Sequence, residues 1–107
     1  MPLINIKYDN EKVDASDVKV LSEGVQKIVS KITGIEDVFV YADSSEIKIK
    51  IAPIEVFIQM SANKINNQDK LMAEIKSALI DWKSKNKFLY PINLTLIPMN
   101  WKVEIGI

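Results

Sequence analysis

Cysteine, histidine and arginine are all missing from this chain: its 107 residues include 14 cationic ones, and every one of them is lysine. Without cysteine there are no disulfides and no thiol nucleophile, and without histidine there is no imidazole acid–base chemistry. Together the two absences exclude thiolate and imidazole metal sites and leave only oxygen ligands, for which the sequence offers no spaced acidic loop. The missing arginine removes the flat guanidinium that reads phosphates and bases. Since 14 acidic residues balance the lysines, there is no basic excess either, and nucleic acid is not an expected partner. No apolar run reaches the roughly 18 residues that span a bilayer, and no charged segment leads into an apolar one at the start, so no membrane partner and a cytoplasmic location are expected. Three scattered glycines form no phosphate-binding loop, so no cofactor is expected.

What remains is an ordinary globular composition, 48% hydrophobic and 26% charged, in a length suited to one domain over residues 1–107. Residues 3–8 (LINIKY) alternate as a strand with one wetter side. Asp14 or Ser16 is positioned to cap a helix whose apolar residues Val18, Leu21, Val25, Ile28, Val29 and Ile32 step by three and four, and Gly34 is its stop. Residues 38–42 (VFVYA) suit a strand before a turn at "DSS". "EIKIKI" at 46–51 alternates without a break, with Ile47, Ile49 and Ile51 on the side expected to be buried.

Pro53 punctuates, and residues 54–60 (IEVFIQM) resume an extended pattern with Glu55 inside it. A second helix over about 68–85 carries Leu71, Met72, Ile75, Ala78, Leu79 and Trp82 at helical spacing. Residues 92–97 read as a strand stopped by Pro98, and the tail "WKVEIGI" alternates once more, as if seeking a sheet to join. The order predicts an α+β fold: two β-α-β units giving a mixed four-stranded sheet with two helices on one face. The open face then carries too much isoleucine and valine to be wholly wet, which points to other subunits or a ligand pocket. The ferredoxin-like and the tautomerase folds both have this order.

A start of Met-Pro and a short apolar strand, the stretch "APIEVFIQMSANKINNQDKLMAEIKSALIDW" and the ending "INLTLIPMNWKVEIG" resemble the tautomerase superfamily, which includes macrophage migration inhibitory factor, 5-carboxymethyl-2-hydroxymuconate isomerase and 4-oxalocrotonate tautomerase. The resemblance, strongest to an uncharacterised bacterial branch, implies a homotrimer acting on a small-molecule substrate, with Pro2 catalytic once Met1 is removed. The chemistry suits a secondary amine. An α-amine with a pKa near 8 loses its proton more readily in an apolar pocket or beside a cation, and when neutral it takes a proton from the carbon next to a carbonyl and returns it elsewhere. A retained Met1 would make the same nitrogen an unreactive amide, and proline at the start of a strand also has a purely structural reading.

Two anion-binding groups of the family fall on Phe39 and Ile35 in this chain. Lys7 and Lys48 are substitutes, or else solvated charges. Glu55 is either a site acid that orients the Pro2 amine or a carboxylate turned to solvent or to a lysine. Phe39 and Tyr41 share a strand face and wall a pocket or pack in the core. Asn100 and Trp101 correspond to residues at the pocket mouth, with an anchored tail as the alternative for Trp101. Three readings stay open: a tautomerase or isomerase using Pro2 on an enolisable or unsaturated carbonyl acid, a catalytically silent trimeric binding protein of the same fold, and a ferredoxin-like binding module.

Overall fold

The computed structural model describes residues 2–107. Strand β1 (Leu3–Tyr8) leads through Asp9–Asp14 into helix α1 (Ala15–Thr33), then strand β2 (Phe39–Asp43). Strand β3 (Ile54–Ser61) is followed by a single turn of 3-10 helix (Ala62–Lys64), helix α2 (Gln68–Lys85) and strand β4 (Asn93–Met99). The sheet order is β2-β1-β3-β4, with β1 parallel to β2, β3 parallel to β4 and the two halves joined antiparallel through β1 and β3. This is the expected pair of β-α-β units in a mixed four-stranded sheet.

The register also separates the two folds that share the element order. In a split β-α-β arrangement, as in the ferredoxin-like fold, another strand lies between the two strands of one unit. Here β1 pairs directly with β2, from Leu3 opposite Phe39 to Lys7 opposite Asp43. The ferredoxin-like alternative is therefore corrected.

Alternation decides which strand residues enter the core. Ile4 and Ile6 of β1 and Ile54, Val56 and Ile58 of β3 are fully buried against Val18, Leu21, Val25 and Val29 of α1 and Ile75 and Leu79 of α2. Each such aliphatic side chain contributes about 1.5–3 kcal/mol by leaving water, so these central strands carry much of the stability. Gly34 ends α1 in a left-handed conformation, φ 71°, and its N–H bonds the Ser30 carbonyl at 2.9 Å. Gly24, inside α1, has a different purpose. A Cβ there would lie 2.4 Å from the Trp82 indole nitrogen, so only glycine lets the α2 tryptophan lie against α1.

Three local expectations are corrected. Pro98 does not stop β4 but lies within it, opposite Met60; β4 is an edge strand, the position in a sheet where proline is tolerated. Residues 46–51 join no strand, and the tail after Met99 has no regular structure. In both, the alternation that reads as a strand has no partner strand within the chain, and Ile47 and Ile49 are 85% and 97% exposed.

Candidate functional site

Strand β1 begins immediately after Pro2, and Pro2 is almost wholly buried. Its carbonyl accepts a hydrogen bond from the Phe39 N–H at 3.2 Å, which fixes the start of β1 beside the start of β2. By alternation the proline falls on the side of Ile4 and Ile6, beneath the helices. Phe39 and Tyr41 stand opposite Leu3 and Asn5, so they belong to the other, open face, where they are 43% and 60% exposed. Met1, on whose removal the proline chemistry turns, lies outside the described residues.

Besides the starts of β2 and α2, three chain segments end at the Pro2 end of the sheet. The C-terminus of α1 arrives there because α1 returns from the far end of β1. The end of β3 arrives because β3 is antiparallel to β1, with Gln59 opposite Leu3. The end of β4 arrives because it is parallel to β3, with Met99 opposite Ser61. Asn100, exposed, and Trp101, half-buried, leave β4 at this end. The 3-10 turn carries Lys64 out of β3, and a cavity of about 250 Å³ opens between it, Ile32 and Thr33 of α1 and Asn67, Lys70 and Leu71 around the start of α2.

Lys64 is a residue that the sequence reading did not nominate. It is exposed, and among the described residues it has no ion-pair partner, whereas Lys70 is 4.0 Å from Glu74. The available signal was its position directly after a core strand, in a turn too short to take it far from the strand end.

Lys7 and Glu55 lie elsewhere. Lys7 is five residues beyond Pro2, about 16 Å along an extended strand, and it points to the open face. Its ammonium pairs with Asp43 at 2.6 Å; Glu55 is its register partner on β3, and the Glu55 Oε1 accepts a hydrogen bond from the Asn93 amide at 2.7 Å. Asp43, Lys7, Glu55 and Asn93 thus form one polar row across all four strands. A cavity of about 380 Å³ lined by Lys7, Tyr8, Lys50, Ile51, Glu55 and Phe57 sits beside it. Within one protomer, then, Pro2, Asn100 and Trp101 gather at one end, with Phe39 across the sheet from Pro2, while Lys7 and Glu55 occupy the other. Lys48, the second candidate substitute, is tied to Asp9 at 3.5 Å and to the Asn10 side chain.

The groups that the topology brings to the Pro2 end of the sheet are the proline itself and the lysine of the 3-10 turn. Among the described residues no cluster of acidic side chains is arranged to hold a metal ion, and no helix is long and apolar enough to cross a membrane.

No family model matches the chain, and no curated protein matches it in sequence. Solved structures do match. A malonate semialdehyde decarboxylase, studied as wild type and with its first-position proline replaced by alanine, superposes with a TM-score of 0.66 at 11% identity, covering 97% of this chain and 92% of its own. A 5-carboxymethyl-2-hydroxymuconate delta-isomerase gives 0.66 at 12% identity, covering 99% and 89%. A fused 4-oxalocrotonate tautomerase, described as an asymmetric trimer, gives 0.64 at 11% identity, covering 94% and 91%. At such identities the likeness speaks for the arrangement of the chain, and it agrees with the strand order and register above. The chain has the fold of the tautomerase superfamily.

Proposed function

We propose that this protein is a small homotrimeric tautomerase or isomerase in which Pro2, freed by removal of Met1, is the general base on an enolisable or unsaturated carbonyl acid. The single observation that carries the reading is the position of Pro2: buried, at the head of a central strand, at the end of the sheet from which β3 leads into the turn that carries Lys64. The similar malonate semialdehyde decarboxylase, in which a first-position proline was singled out for replacement, supports the same assignment. In this scheme the Pro2 nitrogen takes the proton from the carbon beside the carbonyl and delivers it to another carbon, and Lys64 holds the substrate carboxylate. Asn100 and Trp101 contribute walls from the same copy, while Phe39 and Tyr41, on the opposite face of the sheet, and Lys7 and Glu55, at its far end, enter only if a neighbouring copy brings them to the Pro2 end of the first.

A second reading rests on the absence of arginine and on the pairing of Lys7 with Asp43, which leave the pocket poor in free cations: a trimeric protein that binds a small molecule without turning it over. One experiment separates the two. The intact mass of protein produced without an N-terminal tag should be one methionine short. With phenylpyruvate and 2-hydroxymuconate as enolisable probes, Pro2→Ala should lower kcat/KM by about 100-fold or more, the usual worth of a positioned general base. A mass that retains Met1, or equal turnover by Pro2→Ala, sinks the catalytic reading.

A further inference from the structure

The cavity of about 380 Å³ beside the polar row lies at the end of the sheet away from Pro2, and two of the charges that line it are left without an opposite charge. Lys7 is satisfied: it leans to β2, where Asp43 holds it at 2.6 Å, and not to Glu55, its register partner on β3. Lys50 has no ion-pair partner among the described residues, and neither has Glu55. The one bond that Glu55 accepts comes from the Asn93 amide at 2.7 Å, a neutral partner that leaves its charge uncompensated. The cavity therefore offers one free ammonium and one free carboxylate, carried by different segments of the chain.

The rest of the lining is mostly apolar. Phe57 is half-buried and Ile51 exposed, with the Tyr8 and Ser45 hydroxyls at the margin. The wall is also fixed in advance, although residues 46–51 join no strand. The Asn10 N–H bonds the Ser44 hydroxyl at 3.3 Å and the Asp9 N–H bonds the Pro53 carbonyl at 3.0 Å, so the chain is fastened to the turn after β1 on both sides of the segment. In its middle the Lys48 side chain, 15% exposed, pairs with that of Asp9, 9% exposed, at 3.5 Å. A wall held before a ligand arrives leaves less to be ordered on binding.

The volume falls within the range of small-molecule pockets. A simple carboxylate would satisfy Lys50 and leave Glu55 facing a like charge, and a simple amine would do the reverse. Only a zwitterion gives both groups a charge-assisted hydrogen bond. We propose that this cavity binds an α-amino acid with an apolar or aromatic side chain, its carboxylate on Lys50, its ammonium on Glu55 and its side chain against Phe57 and Ile51. The site needs neither the Pro2 amine nor a second copy, so it stands or falls apart from the reading above.

Calorimetric titration of the full chain tests it with three probes of similar shape: L-phenylalanine, 3-phenylpropionate, which lacks the ammonium, and 2-phenylethylamine, which lacks the carboxylate. L-phenylalanine should bind at one site per chain, and the other two at least tenfold more weakly. In Lys50→Gln, L-phenylalanine should bind no better than 2-phenylethylamine. In Glu55→Gln, which keeps an oxygen for Asn93, it should bind no better than 3-phenylpropionate. Both variants should keep the wild-type far-ultraviolet circular dichroism, and Pro2→Ala and Lys64→Gln should bind L-phenylalanine as the wild type does. The inference is overturned by a lack of saturable L-phenylalanine binding, by equal binding of the three probes, by wild-type selectivity in either glutamine variant, or by loss of binding in Pro2→Ala.

Discussion

Tyr90 shows how one side chain can report on the packing of two helices. Its hydroxyl donates a hydrogen bond to the Asp17 Oδ2 at 3.3 Å, and its ring meets Phe88 edge-on at 5.3 Å, with Trp82 next in the row. Partial removal from water raises the phenol above its ordinary value of about 10, and the Asp17 charge, the bond to Asp17 and the Asp14 charge push the same way. A group whose folded pKa is raised stabilises the fold fully below its unfolded pKa, and that stability is lost as pH rises through the folded value. Unfolding measured in urea should thus show stability falling above about pH 10 in the wild type, with less of a fall in Tyr90→Phe. The phenolate absorbance that Tyr90→Phe removes should appear above the ordinary value of about 10, and Asp17→Asn should move it down. A Tyr90 transition at or below the ordinary value would contradict the account. At this scale the sequence is least legible. Gly24 looks like a gap in an apolar stripe, and only the nearby indole reveals why a methyl group cannot stand there.

The two helices begin differently, and the difference is measurable. Asn67 caps α2, its side-chain oxygen accepting the Lys70 N–H at 3.0 Å, whereas Asp14 occupies the cap position of α1 without a side-chain bond. Asn67→Ala should cost about 1 kcal/mol in chemical denaturation and Asp14→Ala clearly less, because only the first leaves a helix N–H without its partner. Equal losses would mean that cap geometry does not govern these termini. Helices and central strands were readable because their periodicity is enforced by a core present in the same chain: Ile4, Ile6, Val56 and Ile58 alternate as they do because two helices cover them. Residues 46–51 and 101–107 carry an equally clear alternation and join no strand of this chain, since alternation says that a segment is suited to half-burial and not what covers it. Pro98 misled for a related reason, as a sequence does not mark which strand will lie at an edge. The candidate site was half legible. Pro2, Asn100 and Trp101 do gather at one end, but the reach from Pro2 to Lys7 along β1, and hence the separation of Lys7 and Glu55 from the proline, required the register.

Across the whole molecule, that separation ties the proposed catalysis to the proposed assembly. Among the described residues, one copy offers a buried proline and a lysine without an ion-pair partner at one end of the sheet, a polar row with an adjoining cavity at the other, and no further strand beyond β2 or β4. If the pocket is completed by the tail and open face of a neighbour, the active species is the oligomer, and binding to it obeys mass action. Specific activity towards an enolisable probe should then fall on dilution, following the fraction of protomers still assembled as read by sedimentation over the same concentrations. Where half of the protein is monomeric, about half of the activity per chain should remain. Activity that stays constant per chain while the oligomer dissociates would place the complete site within a single copy, and the wall residues would then have to be sought among Ile32, Thr33 and Leu71 around the cavity beside Lys64.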